Sequence, residues 1–445
     1  MGLSGMKEEV LRYITENRDE IINFCVKLVE CKSITGHELK IQRDVILPFL
    51  KREMVWDEID FFSVIPSDER PNINAVLKGN DQGNCLLFNS HVDVVDVPEN
   101  QLLRWTRDPW KPFIEDEKLY GRGSNDMKGG IASMIWAAKA LMDLNVELKG
   151  TLAMEFVIGE ESMQHQFGTT AATKRLLNKG HKFQFCIDPE PTNCEIHNVS
   201  AGTFDFEIVV SGREVHTAMR NLVLYPQRWG IPSGKVVGVD AVAKLIDILK
   251  LLEKLERQWV HRWKNPILGS GGYPAHEDTQ GVGCFTINPS LIEGGTYIAS
   301  VPGYAKAHCQ CYYPAWVKYE DVVADIKNAI DAYVSTDDWL RENPPKFTAG
   351  KVFVWPPYET DSTHSGCQAL ANAWKEAVGK PAQFSGFKAV DDVAFIQALG
   401  IPGVSMGPGD LSMGAHGPDE HVPTVHMVNC AKAFACFIID WCGVE

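Results

Sequence analysis

The sequence predicts an α/β protein into which a smaller α+β sandwich is inserted. Three observations carry that prediction. Short apolar runs alternate with helical spacing up to about residue 200; the texture changes at Ala201 to half-exposed strands and amphipathic helices; helix and buried strand then return after about residue 355. At 445 residues the chain exceeds one ordinary core, and two domains fit it. Residues 1–200 and 356–445 form one discontinuous domain, and 201–355 form the insert.

Taken in order, apolar residues recur at helical spacing over 7–30, and 36–54 continue as a second helix. "INAVLKG", "CLLFNSHVDVV", "TLAMEFVIGEE" and "FQFCIDPEPT" read as strands, with "KGGIASMIWAAKALMDL" a helix between the second and third of them. Three of these strands run into charge at their C-terminal ends: His91 and Asp93, Glu160 and Glu161, Asp188 and Glu190. Open α/β sheets bind ligands at that edge, so strand ends far apart in sequence can converge on one site.

In the insert, "TFDFEIVVSGREVHTA" alternates like a half-exposed strand and "GVDAVAKLIDILKLLEKLERQWV" is an amphipathic helix. "YAKAHCQCYYP" is a further strand and "YEDVVADIKNAIDAYV" a further helix, which fits one strand-helix-strand-strand-helix-strand unit. Afterwards "HSGCQALANAWKEAVG" is helical and "IPGVSMGPGD" is a buried strand. Two stretches, "NLVLYPQRWGIPSGK" and "WKNPILGSGGYPAHEDTQG", are rich in Gly, Pro and aromatics and read as long irregular loops.

Composition excludes several function classes. With 43 Lys and Arg against 58 Asp and Glu the formal charge is −15, and no basic cluster stands out that would neutralise a phosphate backbone, so nucleic acid is not expected. The first residues lack a signal-peptide core, position 6 is Met where myristoylation needs Ser or Thr, and no window reads as an uninterrupted membrane span. A soluble cytoplasmic protein is expected. Twelve scattered cysteines with no Cys-x-x-Cys pair read mostly as reduced core thiols.

"YGRGSNDMKGG" has the look of a glycine-rich phosphate turn, but Asp126 stands where the third glycine of G-x-G-x-x-G belongs. The loop presents a carboxylate instead. With His91, Glu161, Glu190 and His416 of "GAHGPDEHV" it makes two imidazoles and three carboxylates, a set suited to zinc, manganese or cobalt. Five ligands are one too many for a tetrahedral ion. Two ions roughly 3.5–4 Å apart, sharing a bridging carboxylate, would use them all.

"SHVDVVDVP", "YGRGSNDMKGG", "GEES", "PEPT", "SGREVHTA", "GGTYIASVP" and "AHGPDEHV" follow one another in an order that resembles the acetylornithine deacetylase, succinyl-diaminopimelate desuccinylase and carboxypeptidase G family of co-catalytic di-zinc hydrolases. The resemblance spans nearly the whole chain. It implies a mixed-sheet zinc-peptidase catalytic domain with an inserted lid or dimerisation domain, and a homodimer. It makes His91, Asp126 and Glu190 ligands of one zinc and Asp126, Glu161 and His416 ligands of the other, with Asp126 bridging, Asp188 the close rival of Glu190, and cobalt or manganese as substitutes. Asp93 is then expected to accept a hydrogen bond from His91 and fix its tautomer. Glu160 carries the proton between a metal-bridging water and the leaving nitrogen. A cis peptide is implied at Asp126-Met127, and His216 is implied as an oxyanion donor supplied by the partner subunit.

Two arginines frequent in relatives are replaced, by Cys311 in "CQCYYP" and by Ala394 in "VDDVAF". A substrate carboxylate is therefore either absent or held elsewhere, for example by Lys388 or an arginine of the long loops. Acetyl, succinyl, aminoacyl and aromatic acyl groups all stay open. The function expected is a metal-dependent amidohydrolase of an N-acyl amino acid or related small molecule. A dipeptidase or carboxypeptidase of the same chemistry and a non-catalytic dimeric binding protein are the alternatives.

Overall fold

The computed structural model describes residues 2–80, 82–220, 223, 237–265, 269–270, 285–387 and 389–445. Trp229 and Tyr273 of the long loops, and Lys388, lie outside them. The chain divides into two compact units, one of Met1–Val199, Tyr358–Phe387 and Asp391–Glu445, the other of Ser200–Pro357 and Lys388–Val390.

The first unit is built on a nine-stranded mixed sheet. At its centre the Leu86–His91 strand runs parallel to Leu152–Val157 on one side and to Phe185–Asp188 on the other. All three are buried along their whole length, which is why they read as continuous apolar runs without alternation. Because they are parallel, their charged C-terminal ends emerge at one edge. The Gly129–Asp143 helix packs beside them, apolar on nearly every face. An added Cβ at Gly130 would lie 2.0 Å from the carbonyl oxygen of Pro189, so only glycine lets the start of this helix approach the segment that carries Glu190.

Three elements differ from the sequence expectation. The helical stretch over 7–30 is two helices, Leu3–Glu16 and Arg18–Glu30, parted at Asn17, whose side chain donates to the Tyr13 carbonyl at 2.9 Å. Residues 36–54 hold a π-helical turn, Ile41–Ile46, running into the Leu47–Glu53 helix. Pro48 has no amide to give to the carbonyl of Asp44, and the ladder widens in the turn before it. The Thr424–Cys442 helix was not anticipated. It is long and apolar enough to cross a membrane by length and composition, yet 72% of its most apolar window is buried inside the protein. It packs against Gly129–Asp143 and the Ser365–Val378 helix as core.

The second unit is a four-stranded antiparallel sheet in the order Thr286–Gly294, Tyr304–Tyr313, Gly202–Ser211, Lys346–Trp355. The Ala241–Arg262 and Tyr319–Val334 helices share a core with it that includes Phe204, Phe206, Leu245, Ile248 and Ile326. Alternation along Tyr304–Tyr313 sends Ala305, Ala307, Cys309, Cys311 and Tyr313 into that core. Cys311 is fully buried, so the side chain at this position faces packing and not ligand.

Candidate metal centre

His91 closes its strand with 2% of its surface exposed. Its Nδ1 lies 2.9 Å from the backbone carbonyl of Asp93. A carbonyl only accepts, so Nδ1 carries the proton and Nε2 of the neutral ring presents a lone pair to the cluster. That nitrogen is 3.2 Å from Asp126 Oδ1 and 3.4 Å from Glu190 Oε1. The other oxygen of Asp126, Oδ2, is 3.3 Å from His416 Nε2, which is 2.9 Å from Glu161 Oε2. Asp126 thus stands between two sets of donors, each with one histidine and one glutamate. Glu160 Oε2 is 3.9 Å from His91 Nε2. Asp188 is buried with both carboxylate oxygens lacking a hydrogen-bond partner.

Long-range hydrogen bonds hold these groups. Glu420, fully buried, accepts the amides of Gly123 at 2.9 Å, Asn125 at 3.0 Å and Asp126 at 3.1 Å, and pairs with the Arg122 guanidinium at 2.5 Å. It therefore shapes the loop that presents Asp126, where the Asp126-Met127 peptide is cis. The carboxylate of Asp93 accepts from Gly159 N at 2.9 Å, Glu161 N at 3.3 Å and Thr35 Oγ1 at 2.8 Å. Its nearer oxygen is 3.8 Å from His91 Nδ1. Asp93 touches His91 through its main chain, where a side-chain bond was expected, and its carboxylate instead fixes the turn bearing Glu160 and Glu161. Glu420 and Arg122 lie inside the motifs quoted above, but nothing local marks them as partners.

Burial pushes the His91 imidazole down, but Asp126 and Glu190 beside it outweigh that and raise it well above an ordinary histidine. Asp126 and Glu161 raise His416 to about 11. Burial lifts Glu190 to about 7 and Glu160 well above the usual carboxylate range, while the two imidazoles hold Asp126 far below it. The cluster thus draws protons onto both histidines to balance its carboxylates. Divalent cations on the same lone pairs would supply that charge, and imidazole with carboxylate is a donor set that suits them.

Beside the centre, Glu155 accepts from Asn89 Nδ2 at 2.7 Å and Thr173 Oγ1 at 3.0 Å, and Thr169 reaches both Asn89 and Asp392. Burial pushes Glu155 up to about 8. Its carboxyl is protonated in the folded chain and ionised in the unfolded one between the ordinary glutamate value and about 8, so the stability it contributes is full below that window and is lost as pH rises through it. Glu155→Gln keeps the acceptor and cannot ionise. It is expected to gain on the order of 1 kcal/mol or more over the parent protein near pH 8 and little near pH 4. Urea midpoints at the two pH values check this, and an unchanged pH slope would count against a neutral Glu155.

His216 belongs to the second unit, where Val215–His216 pairs with Ser300–Val301. It is exposed, and its Nδ1 accepts the Ala218 amide at 3.1 Å, which leaves Nε2–H as a donor in the neutral ring.

The sequence profile of peptidase family M20/M25/M40 matches residues 87–440. The chain is a member of that family. An N-formyl-4-amino-5-aminomethyl-2-methylpyrimidine deformylase of Bacillus subtilis is 30% identical over 86% of both chains, and one of Halalkalibacterium halodurans is 27% identical over 98% of both. The fold matches human carnosine dipeptidase 1 with a TM-score of 0.70 at 16% identity, covering 98% of this chain and 99% of that one. It also matches a dinuclear metal-binding M20 peptidase of Bacillus subtilis with a TM-score of 0.61 at 16% identity, covering 96% and 98%. Family membership makes the protein a metal-dependent hydrolase of amide bonds.

Proposed function

We propose that the protein cleaves a small acyl group from the amine of a heteroaromatic or related small molecule. The reading uses two divalent cations, zinc first, one at His91, Asp126 and Glu190 and one at Asp126, Glu161 and His416. The observation that carries it is the two-sided presentation of Asp126, each oxygen facing its own histidine. When bound, the cations would polarise the scissile carbonyl and acidify water. Glu160 takes the proton from the attacking water and delivers it to the leaving nitrogen; burial, which raises its proton affinity, suits both halves of that task. Asp93 holds Glu160 and Glu161 in place through the turn amides.

The two positions at which the family resemblance leads one to look for arginine support the substrate class. Cys311 points into a core and Ala394 is buried, so neither position offers a fork. The named activity of the two deformylases, which act on an N-formyl aminomethylpyrimidine, agrees with an amine lacking that carboxylate. A homodimer through the second unit is part of the reading: the outer strand Thr286–Gly294 leaves Leu291 66% and Ile292 60% exposed, beside Ile298 at 94%. The buried thiols of Cys25, Cys186, Cys367 and Cys436 fit a cytoplasmic setting, with no nucleic-acid or membrane partner.

The test is elemental analysis followed by a hydrolysis panel of N-formyl, N-acetyl and N-succinyl amines and dipeptides. About two ions per chain and fastest cleavage of acyl amines without a carboxylate are expected. Less than half an equivalent of metal after reconstitution would sink the centre, and faster turnover of carboxylate-bearing substrates would sink the substrate class.

A further inference from the structure

Four residues after Glu190, Cys194 meets a second thiol. Its Sγ lies 3.6 Å from Cys430 Sγ, on the buried Thr424–Cys442 helix, and 4.0 Å from the His426 carbonyl. Both cysteines are buried, Cys430 completely and Cys194 to 6% exposure. Asn193 and Cys194 both take left-handed backbone angles, φ 57° and 61°, a conformation that residues other than glycine adopt uncommonly. The amide of Cys194 is fixed to the Gly407 carbonyl at 2.9 Å. The loop is thereby held with its thiol against the helix.

We propose that Cys194 and Cys430 are an oxidation site at which hydrogen peroxide joins the two thiols into a disulfide and displaces the segment carrying Glu190. The Cys194 sulfur attacks one peroxide oxygen, the O–O bond breaks, and the departing hydroxide takes the thiol proton and leaves as water. Cys194 is then a sulfenic acid. The Cys430 sulfur attacks it, the S–S bond forms, the S–O bond breaks, and a second water leaves with the Cys430 proton. Two thiols are oxidised by two electrons and one peroxide is reduced to two waters.

Cys194 is suited to the first step. Burial opposes its ionisation, but the Cys430 thiol and the His426 imidazole outweigh that and bring it down to about 6. The second step needs closure from 3.6 Å to a bond of about 2.05 Å. Cys430 is itself fully buried on the mostly buried Thr424–Cys442 helix, so the movement falls on the 189–195 loop. The loop also bears Glu190, and this consequence rests on Glu190 being a metal ligand; formation of the disulfide does not.

Zinc-loaded full-length protein treated with hydrogen peroxide, alkylated and digested should yield a linked Cys194–Cys430 peptide lacking two hydrogens, which dithiothreitol removes. Zinc affinity, read with a competing chelator, should weaken about tenfold on oxidation and recover on reduction. Cys430→Ser should give neither the linked peptide nor the loss of affinity, and Cys194→Ala serves if that variant does not fold. Peroxide that leaves both thiols free for alkylation, or oxidises them without linking them, overturns the site. A linked peptide with unchanged zinc affinity overturns the displacement of Glu190, and equal loss in Cys430→Ser places the effect elsewhere. If Glu190→Gln binds zinc like the parent protein while the linked peptide still forms, the ligand assignment fails and the oxidation site stands.

Discussion

Glu160→Gln is expected to keep its full complement of metal and to lose on the order of 10²-fold or more in kcat. Glu160 Oε2 stands 3.9 Å from His91 Nε2, near the cluster but outside the two histidine-glutamate sets, so the substitution leaves every proposed ligand in place. Glutamine preserves size and hydrogen bonding while it cannot take up a proton. The KM should change little, because the loss lies in proton transfer and not in binding. Metal analysis beside single-turnover kinetics decides the matter. Turnover near the parent level would show that another group carries the proton.

The second large effect concerns the inserted unit. His216→Ala is expected to cost about 10²- to 10³-fold in kcat with metal content unchanged, the usual consequence of removing one oxyanion donor. The geometry behind this is the Ala218 amide on Nδ1, which leaves Nε2–H to donate. If the donor comes from the partner subunit of a two-fold dimer, mixing His216→Ala with Glu160→Gln protein restores both groups in one of the two sites of each mixed dimer. Random reassortment then returns about a quarter of all sites to full composition. No recovery after proven subunit exchange, or full activity in a monomer, would remove His216 from the reaction.

Much of the fold was legible because its central strands are buried on both faces and parallel, which makes apolar runs conspicuous and gathers their charged ends at one edge. His91, Glu160, Glu161, Asp188 and Glu190 could be singled out for that reason, Asp126 and His416 because each interrupts a glycine-bearing turn, and the choice between neighbours rested on the family resemblance. The Asp93 carbonyl could not be foreseen. Spacing indicates which side chains share a face, but it does not say that the main chain will reach the ring first. The Arg122–Glu420 pair spans 298 positions and has no local signature. The Thr424–Cys442 helix follows directly on the His416 motif, and its apolar period was overshadowed by the chemistry before it.

Glu420 follows His416 by four residues and also grips the amide of Asp126. One short loop therefore supplies an imidazole to one side of the centre and fixes the carboxylate shared by both sides. A change that loosens the loop disturbs both sides together, because His416 and the grip on Asp126 ride on the same few residues. Positions 311 and 394 have no part in that knot. Cys311 and Ala394 are buried in packing of their own, so a change of residue there leaves the loop and the carboxylate it grips untouched.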